Sequence, residues 1–226
     1  MPTDEDAPAT SLEAEERAQF MLRMRARGIG DLRLLRALER APRALFMPQR
    51  YGDIAARDIA LPIGCGQTAP PPSILAAMIE ALDPAPASRV LEIGTGTGYA
   101  AALVAQLAGE VVSLERHQAL ALEAAARLDA FGLANVRVVW ADGLAPDPEG
   151  GHYDRILVHA LIEAPAARLT DRLAPGGALV AALADDASGE QRIVRLTRQE
   201  NGEIAVDLRG AARTFTPLVE GLSRGL

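Results

Sequence analysis

Residues 91–100 read LEIGTGTGYA, and this stretch decides the fold. A short apolar run, Arg89–Ile93, leads into Gly94, Gly96 and Gly98, and an Ala-rich helical run opens at Tyr99. Strand, glycine loop and helix make the first half of a βαβ unit. Glycines at such a junction let the backbone turn tightly and approach a ligand closely. The alternation continues outward. Val111–Glu115, Val136–Trp140, Asp154–Val158 and Ala178–Leu183 read as strands; Tyr99–Leu107, His117–Phe131 and Pro165–Leu173 read as helices. This pattern predicts an α/β fold with a mainly parallel sheet and helices on both faces. The rhythm then changes. Arg192–Thr197 and Glu203–Leu208 flank Asn201-Gly202, a hairpin turn signal, so an antiparallel pair completes seven strands.

Glu115 ends the second strand, about 20 residues beyond the first glycine, where an acid meets ribose hydroxyls in nucleotide-binding sheets. A dinucleotide fingerprint would need Gly or Ala at position 99, which is Tyr99. The pattern Gly-x-Gly-x-Gly, with Glu92 two residues ahead, instead resembles the first motif of class I S-adenosylmethionine-dependent methyltransferases, a Rossmann-like fold. Asp142-Gly143, after the third strand, falls at that class's adenine-contacting position. Arg172–Val180, RLAPGGALV, resembles its later turn into a strand.

Composition bounds the rest. The chain has 226 residues and suits one domain with extensions. It is 49% hydrophobic but only 4% aromatic, so the core must be aliphatic. All 23 basic residues are Arg, and the net charge of −7 argues against a general nucleic-acid binder. Nine Arg against two acids between Arg17 and Arg50 read as a solvated helix face. Cys65 is alone, which excludes an intrachain disulfide and points to a reducing, cytoplasmic setting. No signal-peptide pattern opens the chain, no apolar run is long enough to span a membrane, and no His or Cys pair has metal-ligand spacing. The expected organisation is a disordered acidic tail (1–14), a helical segment (15–60), a cofactor-binding core (61–188) and closing antiparallel strands (189–226), as a monomer. Asp31 is expected to cap a helix running through Arg40.

A narrower resemblance rests on LPIGCGQTAPPPSILAAMIEAL (Leu61–Leu82), with MRARGIGD (Met24–Asp31), APRALFMP (Ala41–Pro48), SLER (Ser113–Arg116) and TFTPL (Thr214–Leu218). Together these resemble the protein-L-isoaspartate O-methyltransferases, from about Met21 to Leu218. The resemblance implies methyl transfer from S-adenosyl-L-methionine to the α-carboxylate of L-isoaspartyl residues in proteins or peptides. The ester then collapses to a succinimide, which repairs the chain. It implies a cofactor site of Glu92, Gly94, Thr95, Gly96, Gly98, Glu115, Arg116, Asp142 and Gly143. It places Thr68 and Gln67 in the catalytic loop, with Gly66 and Pro70 on the substrate side. His159, at the carboxyl end of the fourth strand, joins that side because ligands sit there in such sheets.

The chain departs from this pattern where the acceptor binds. The family's active-site serine falls on Pro70, which has neither hydroxyl nor N–H. With Pro71 and Pro72, three consecutive donors are missing. Tyr-Glu-Asp ahead of LPIG becomes Ala56-Arg57-Asp58, and Pro-Val-Gly after the fifth strand becomes Ala182-Leu183-Ala184. Ser73 reads as a helix cap, Cys65 as packing, Trp140 as core or adenine-pocket wall, and His117 and His152 as surface. Three functions keep the glycine loop: a repair methyltransferase weakened at Pro70, a paralogue methylating another carboxylate, and a non-catalytic cofactor-binding protein.

Overall fold

The computed structural model describes residues 11–146, 148, 150–163, 166–184, 188–211 and 215–224. Seven strands form one sheet in the order β5-β4-β3-β6-β7-β8-β9. They are β3 (Arg89–Ile93), β4 (Glu110–Glu115), β5 (Val136–Trp140), β6 (Tyr153–Ile162), β7 (Leu173–Ala184), β8 (Gln191–Arg198) and β9 (Ile204–Ala211). The first five run parallel; β7 with β8 and β8 with β9 are antiparallel, as Asn201-Gly202 predicts. Two short strands, β1 (Leu61–Pro62) and β2 (Thr68–Ala69), pair apart from this sheet.

Helices cover the two faces unevenly. On one side α1 (Ser11–Ala26), α2 (Leu32–Arg40), α3 (Pro72–Leu82), α4 (Tyr99–Ala105) and α5 (Gln118–Ala130) contribute to a single core. On the other, one turn, α6 (Ala167–Thr170), buries Leu169 against Leu173, Leu179 and Ala181. The helix expected over Pro165–Leu173 is therefore shorter. Leu173 already belongs to β7, and Pro175 holds Ala174 in extended backbone; Pro165 lies outside the described residues. The disorder expected over 1–14 is corrected for 11–14, which open α1; residues 1–10 lie outside the described residues.

The central strands β3 and β4 are buried on both faces and read as apolar runs, with Val90, Leu91, Val111 and Val112 fully buried, whereas β5 is half-buried and β9 largely exposed. Three of the eight aromatics cluster. Phe46 meets Tyr99 at 5.6 Å and Phe131 at 5.5 Å, which ties the N-terminal segment to α4 and to the end of α5. Asp31 caps α2 as expected, accepting from the N–H groups of Arg33 and Leu34. No helix among the described residues is long and apolar enough to cross a membrane.

Candidate functional site

A cavity of about 560 Å³ opens at the carboxyl ends of β3, β4 and β6, where the strand order switches from β4 on one side of β3 to β6 on the other. One wall is the glycine loop. Gly94 (φ 93°), Gly96 (φ 56°) and Gly98 (φ 89°) all adopt left-handed backbone, which is costly for other residues. Glu115 is 4% exposed and holds the loop: Oε2 accepts the Gly96 N–H and Oε1 the His117 N–H, each at 2.9 Å. A carboxylate has about four acceptor positions. Two remain, enough to accept both hydroxyls of a diol. Gly143 also borders the cavity, and a Cβ there would overlap Ile93.

Gly94, Thr95, Gly96, Glu115, Arg116 and Gly143 reach the wall together. Glu92, Gly98 and Asp142 do not. Glu92 lies fully buried beneath the loop, bonded to Ser113 and His159. Gly98 caps α4. Asp142 accepts from Leu144 N–H at 2.8 Å and Gly221 N–H at 2.7 Å, so it pins the C-terminal segment. Trp140 is neither core nor cavity wall. It is half-buried, its indole N–H donates to the Arg116 carbonyl at 3.0 Å, and the Arg224 guanidinium lies 5.4 Å over its ring.

A second part of the lining carries Gly66, Gln67, Thr68 and Pro70 together. The β1–β2 turn is closed by the Ile63 N–H to the Gln67 carbonyl at 2.9 Å. Cys65 sits in it at φ 56°; burial pushes its thiol up, and the nearby Glu115 and Glu123 add to this. The proline run has few donors, so the chain is held by its carbonyls. Arg43, 4% exposed, donates to the carbonyls of Ala55, Arg57, Ile59, Ala69 and Pro70. Burial lowers the guanidinium from its ordinary value, although arginine stays charged in proteins.

Ser73 is not the cap of α3. Pro71 occupies that position, and the first N–H of the helix is that of Ser73. Asp58 takes it at 3.0 Å, takes the Ser73 hydroxyl at 2.9 Å, and pairs with Arg27 at 3.0 Å.

Sequence reasoning missed several wall residues. His117 is 9% exposed rather than on the surface, because the C-terminal segment bridges to it at Ser223. Arg43 and Asp58 line the cavity, and so does Phe215–Val219, which is tied back to Leu161 by the Thr216 carbonyl and the Leu218 N–H. The TFTPL string, part of the resemblance above, was the available signal for that return. Three cavity-lining side chains, Tyr99 (Oη), His117 (Nδ1) and His159 (Nδ1), hold buried polar atoms without a partner. Among the described residues no cluster of His, Cys, Asp and Glu is placed to hold a metal ion.

Known proteins match this chain closely. The model of the protein-L-isoaspartate(D-aspartate) O-methyltransferase family matches residues 15–223. Protein-L-isoaspartate O-methyltransferase 1 of Rhodopseudomonas palustris (strain HaA2) is 45% identical over 211 residues, 93% of this chain and 85% of the relative. The Azorhizobium caulinodans protein-L-isoaspartate O-methyltransferase is 43% identical over 217 residues, 95% of this chain and 98% of its own. A Plasmodium falciparum structure described as such an enzyme, in complex with S-adenosyl-L-homocysteine, superposes with a TM-score of 0.76 at 22% identity, covering 90% of this chain and 98% of that one. It shares the fold. The chain belongs to the protein-L-isoaspartate(D-aspartate) O-methyltransferase family.

Proposed function

We propose that the chain transfers the methyl group of S-adenosyl-L-methionine to the α-carboxylate of L-isoaspartyl residues in damaged proteins. One observation carries this reading: the glycine loop with Glu115 and the LPIG–GQT loop line one cavity. The cofactor supplies an electrophilic methyl group on a sulfonium. Glu115 holds the ribose hydroxyls, and Gly94–Gly96 bring backbone close to the amino-acid end. The acceptor carboxylate is already ionised at pH 7, so no strong base is required. The protein's task is alignment and the exclusion of water, and alignment alone can supply several kcal/mol. Gly66, Gln67 and Thr68 bind the acceptor, and Phe215–Val219 closes the wall beside it. Residues 61–188 supply most of this machinery, and residues 15–60 brace the acceptor loop through Arg43.

The chain works as a monomer on protein substrates in the reducing cytoplasm, not on nucleic acid. Its single cysteine and net charge of −7 support that reading. The test is transfer of a tritiated methyl group to an isoaspartyl peptide beside its normal aspartyl twin. Label should enter the isoaspartyl peptide only. A protein that binds S-adenosylmethionine and labels neither peptide removes the repair role. Pro70 favours one second reading, a different carboxylate acceptor, which is the next substrate class to assay.

A further inference from the structure

Phe215–Val219 lines the cavity yet belongs to no helix and to neither sheet. Thr216, Pro217 and Val219 are exposed, and Phe215 and Leu218 are half-buried, so burial does little to fix its course. Hydrogen bonds do that work. Near the end of β6, the Leu161 N–H donates to the Thr216 carbonyl at 2.9 Å, and the Leu161 carbonyl accepts the Leu218 N–H at 2.8 Å. Beyond the wall, Asp142 accepts the Gly221 N–H at 2.7 Å and Arg116 donates to the Gly221 carbonyl at 2.9 Å. At the start of the wall, one side chain serves both backbone groups of Phe215. Gln191 opens β8, donates Nε2–H to the Phe215 carbonyl at 3.1 Å, and accepts the Phe215 N–H through Oε1 at 2.5 Å.

A primary amide carries a donor and an acceptor on one planar group. Here it does what a neighbouring strand would do, since a residue in an antiparallel pair exchanges both its N–H and its carbonyl with the residue opposite. Two bonds fix the orientation of the Phe215 backbone as well as its distance. The amide is itself held by the sheet. Gln191 pairs with Ala184, the last residue of β7, and the β8–β9 pairing begins one residue later at Arg192. Because β7 runs parallel to β6, this is the sheet end at which the cavity opens. No residue of β8 or β9 borders the cavity. Gln191 is the link through which that antiparallel pair orders the site.

We infer that Gln191 is a positioning residue for methyl transfer: through the Phe215 backbone it sets the Phe215–Val219 wall beside which the acceptor binds. It acts through Phe215 and touches neither substrate nor cofactor. This rests on the isoaspartyl reading above, which places the acceptor beside that segment.

Gln191→Met keeps the length of the side chain and removes both bonds. Its KM for an isoaspartyl peptide should rise about tenfold or more, the loss of two hydrogen bonds, with kcat within about threefold and S-adenosylmethionine affinity within about twofold of wild type. Affinity of the peptide for the S-adenosylhomocysteine-loaded protein, read by calorimetry, should fall by the same factor as KM rises. Arg198→Met is the control. It removes two bonds from one side chain to backbone carbonyls, those of Asp171 and Leu173, at the other end of β8. It should lower the urea midpoint and leave KM unchanged. If Gln191→Met does not fold, Gln191→Asn, which keeps the amide but shortens its reach by one methylene, gives the same readout. Wild-type KM and peptide affinity in the Gln191 variant overturn the inference. An equal rise in KM in Arg198→Met also overturns it, because the loss would then follow stability. So does an equal loss of cofactor affinity, because Gln191 would then order the whole cavity. In each of these cases labelling of the isoaspartyl peptide by wild type leaves the repair reading intact. A wild type that binds the peptide more tightly than Gln191→Met but labels none keeps the inference and removes the repair reading, and a wild type that does neither removes both.

Discussion

The two walls of the cavity are built by different means. The glycine-loop wall is regular. β3 and β4 pair along their length, the Gly94 N–H continues the ladder to the Leu114 carbonyl at 2.8 Å, and Glu115 ties the loop to the strand that carries it. The acceptor wall has strands of two residues and a run of prolines, and it borrows its order from elsewhere. Arg43 and Asp58 hold it from other segments. The first wall is held by the sheet itself, whereas the second relies on one short strand pair, the burial of Leu61, Ile63 and Ala69, and two side chains from other segments.

That contrast can be broken by substitution. The largest effect should come from Arg43→Met, which strands the five carbonyls that Arg43 serves. Unmet buried acceptors should cost about 3 kcal/mol or more in stability. Arg43→Lys should recover part of this, since it keeps the charge without the fork. Urea denaturation reads the loss. Calorimetry should show cofactor affinity retained in the folded fraction while peptide turnover collapses. Equal damage to both would mean that the walls are one unit.

Next is Glu115→Ala on the other wall. It removes the acceptor of the Gly96 and His117 N–H groups together with the ribose contact proposed for it, and should weaken S-adenosylmethionine binding by roughly 1.5–3 kcal/mol, about tenfold or more. An unchanged dissociation constant would take Glu115 out of the site.

Within the acceptor wall, Pro70→Ser should raise the methylation rate and Thr68→Val should lower it, each by about 1–3 kcal/mol of barrier. Restoration should be partial, because Pro71 still restricts residue 70 to extended backbone. A slower Pro70→Ser enzyme would show that the proline is an adaptation.

The smallest effect sharpens the contrast from outside both walls. Burial of the Asp31 carboxyl raises its pKa, but bonds from the Arg33 side chain and from the Arg33 and Leu34 N–H groups outweigh this, and its net position is below normal. Asp31→Ala should cost about 1 kcal/mol at pH 7 with both ligand affinities intact. The folded pKa is depressed, so this contribution is fully present above the unfolded value of about 3.9 and fades as pH falls through the folded value. Denaturation midpoints of wild type and variant should therefore converge in acid.

The regular wall was legible in the sequence because its logic is local. Apolar runs, glycines and Glu115 announce themselves within a span of about 20 residues. The sheet and its closing hairpin followed for the same reason. The acceptor wall was only half legible. Gly66, Gln67 and Thr68 form a motif, but Arg43 works by binding backbone carbonyls, which carry no sequence signature. Ser73 looked like a cap because serine usually is one; two prolines ahead of it moved that role to Asp58. His117 looked exposed because nothing near it in sequence covers it, and the covering strand arrives from Ser223.

Trp140 gives the molecule a built-in optical probe. It is the only tryptophan in the chain, and its indole is anchored to the backbone of Arg116, next to the ribose acid, with Arg224 across its face. Trp140 lies outside the cavity, but its emission reports on Arg116, which lines it. Filling the glycine-loop wall should change the fluorescence without any label, whereas substitutions in the proline loop should leave the free-protein spectrum as it was. One cuvette can then follow the regular wall on its own while the acceptor loop is varied.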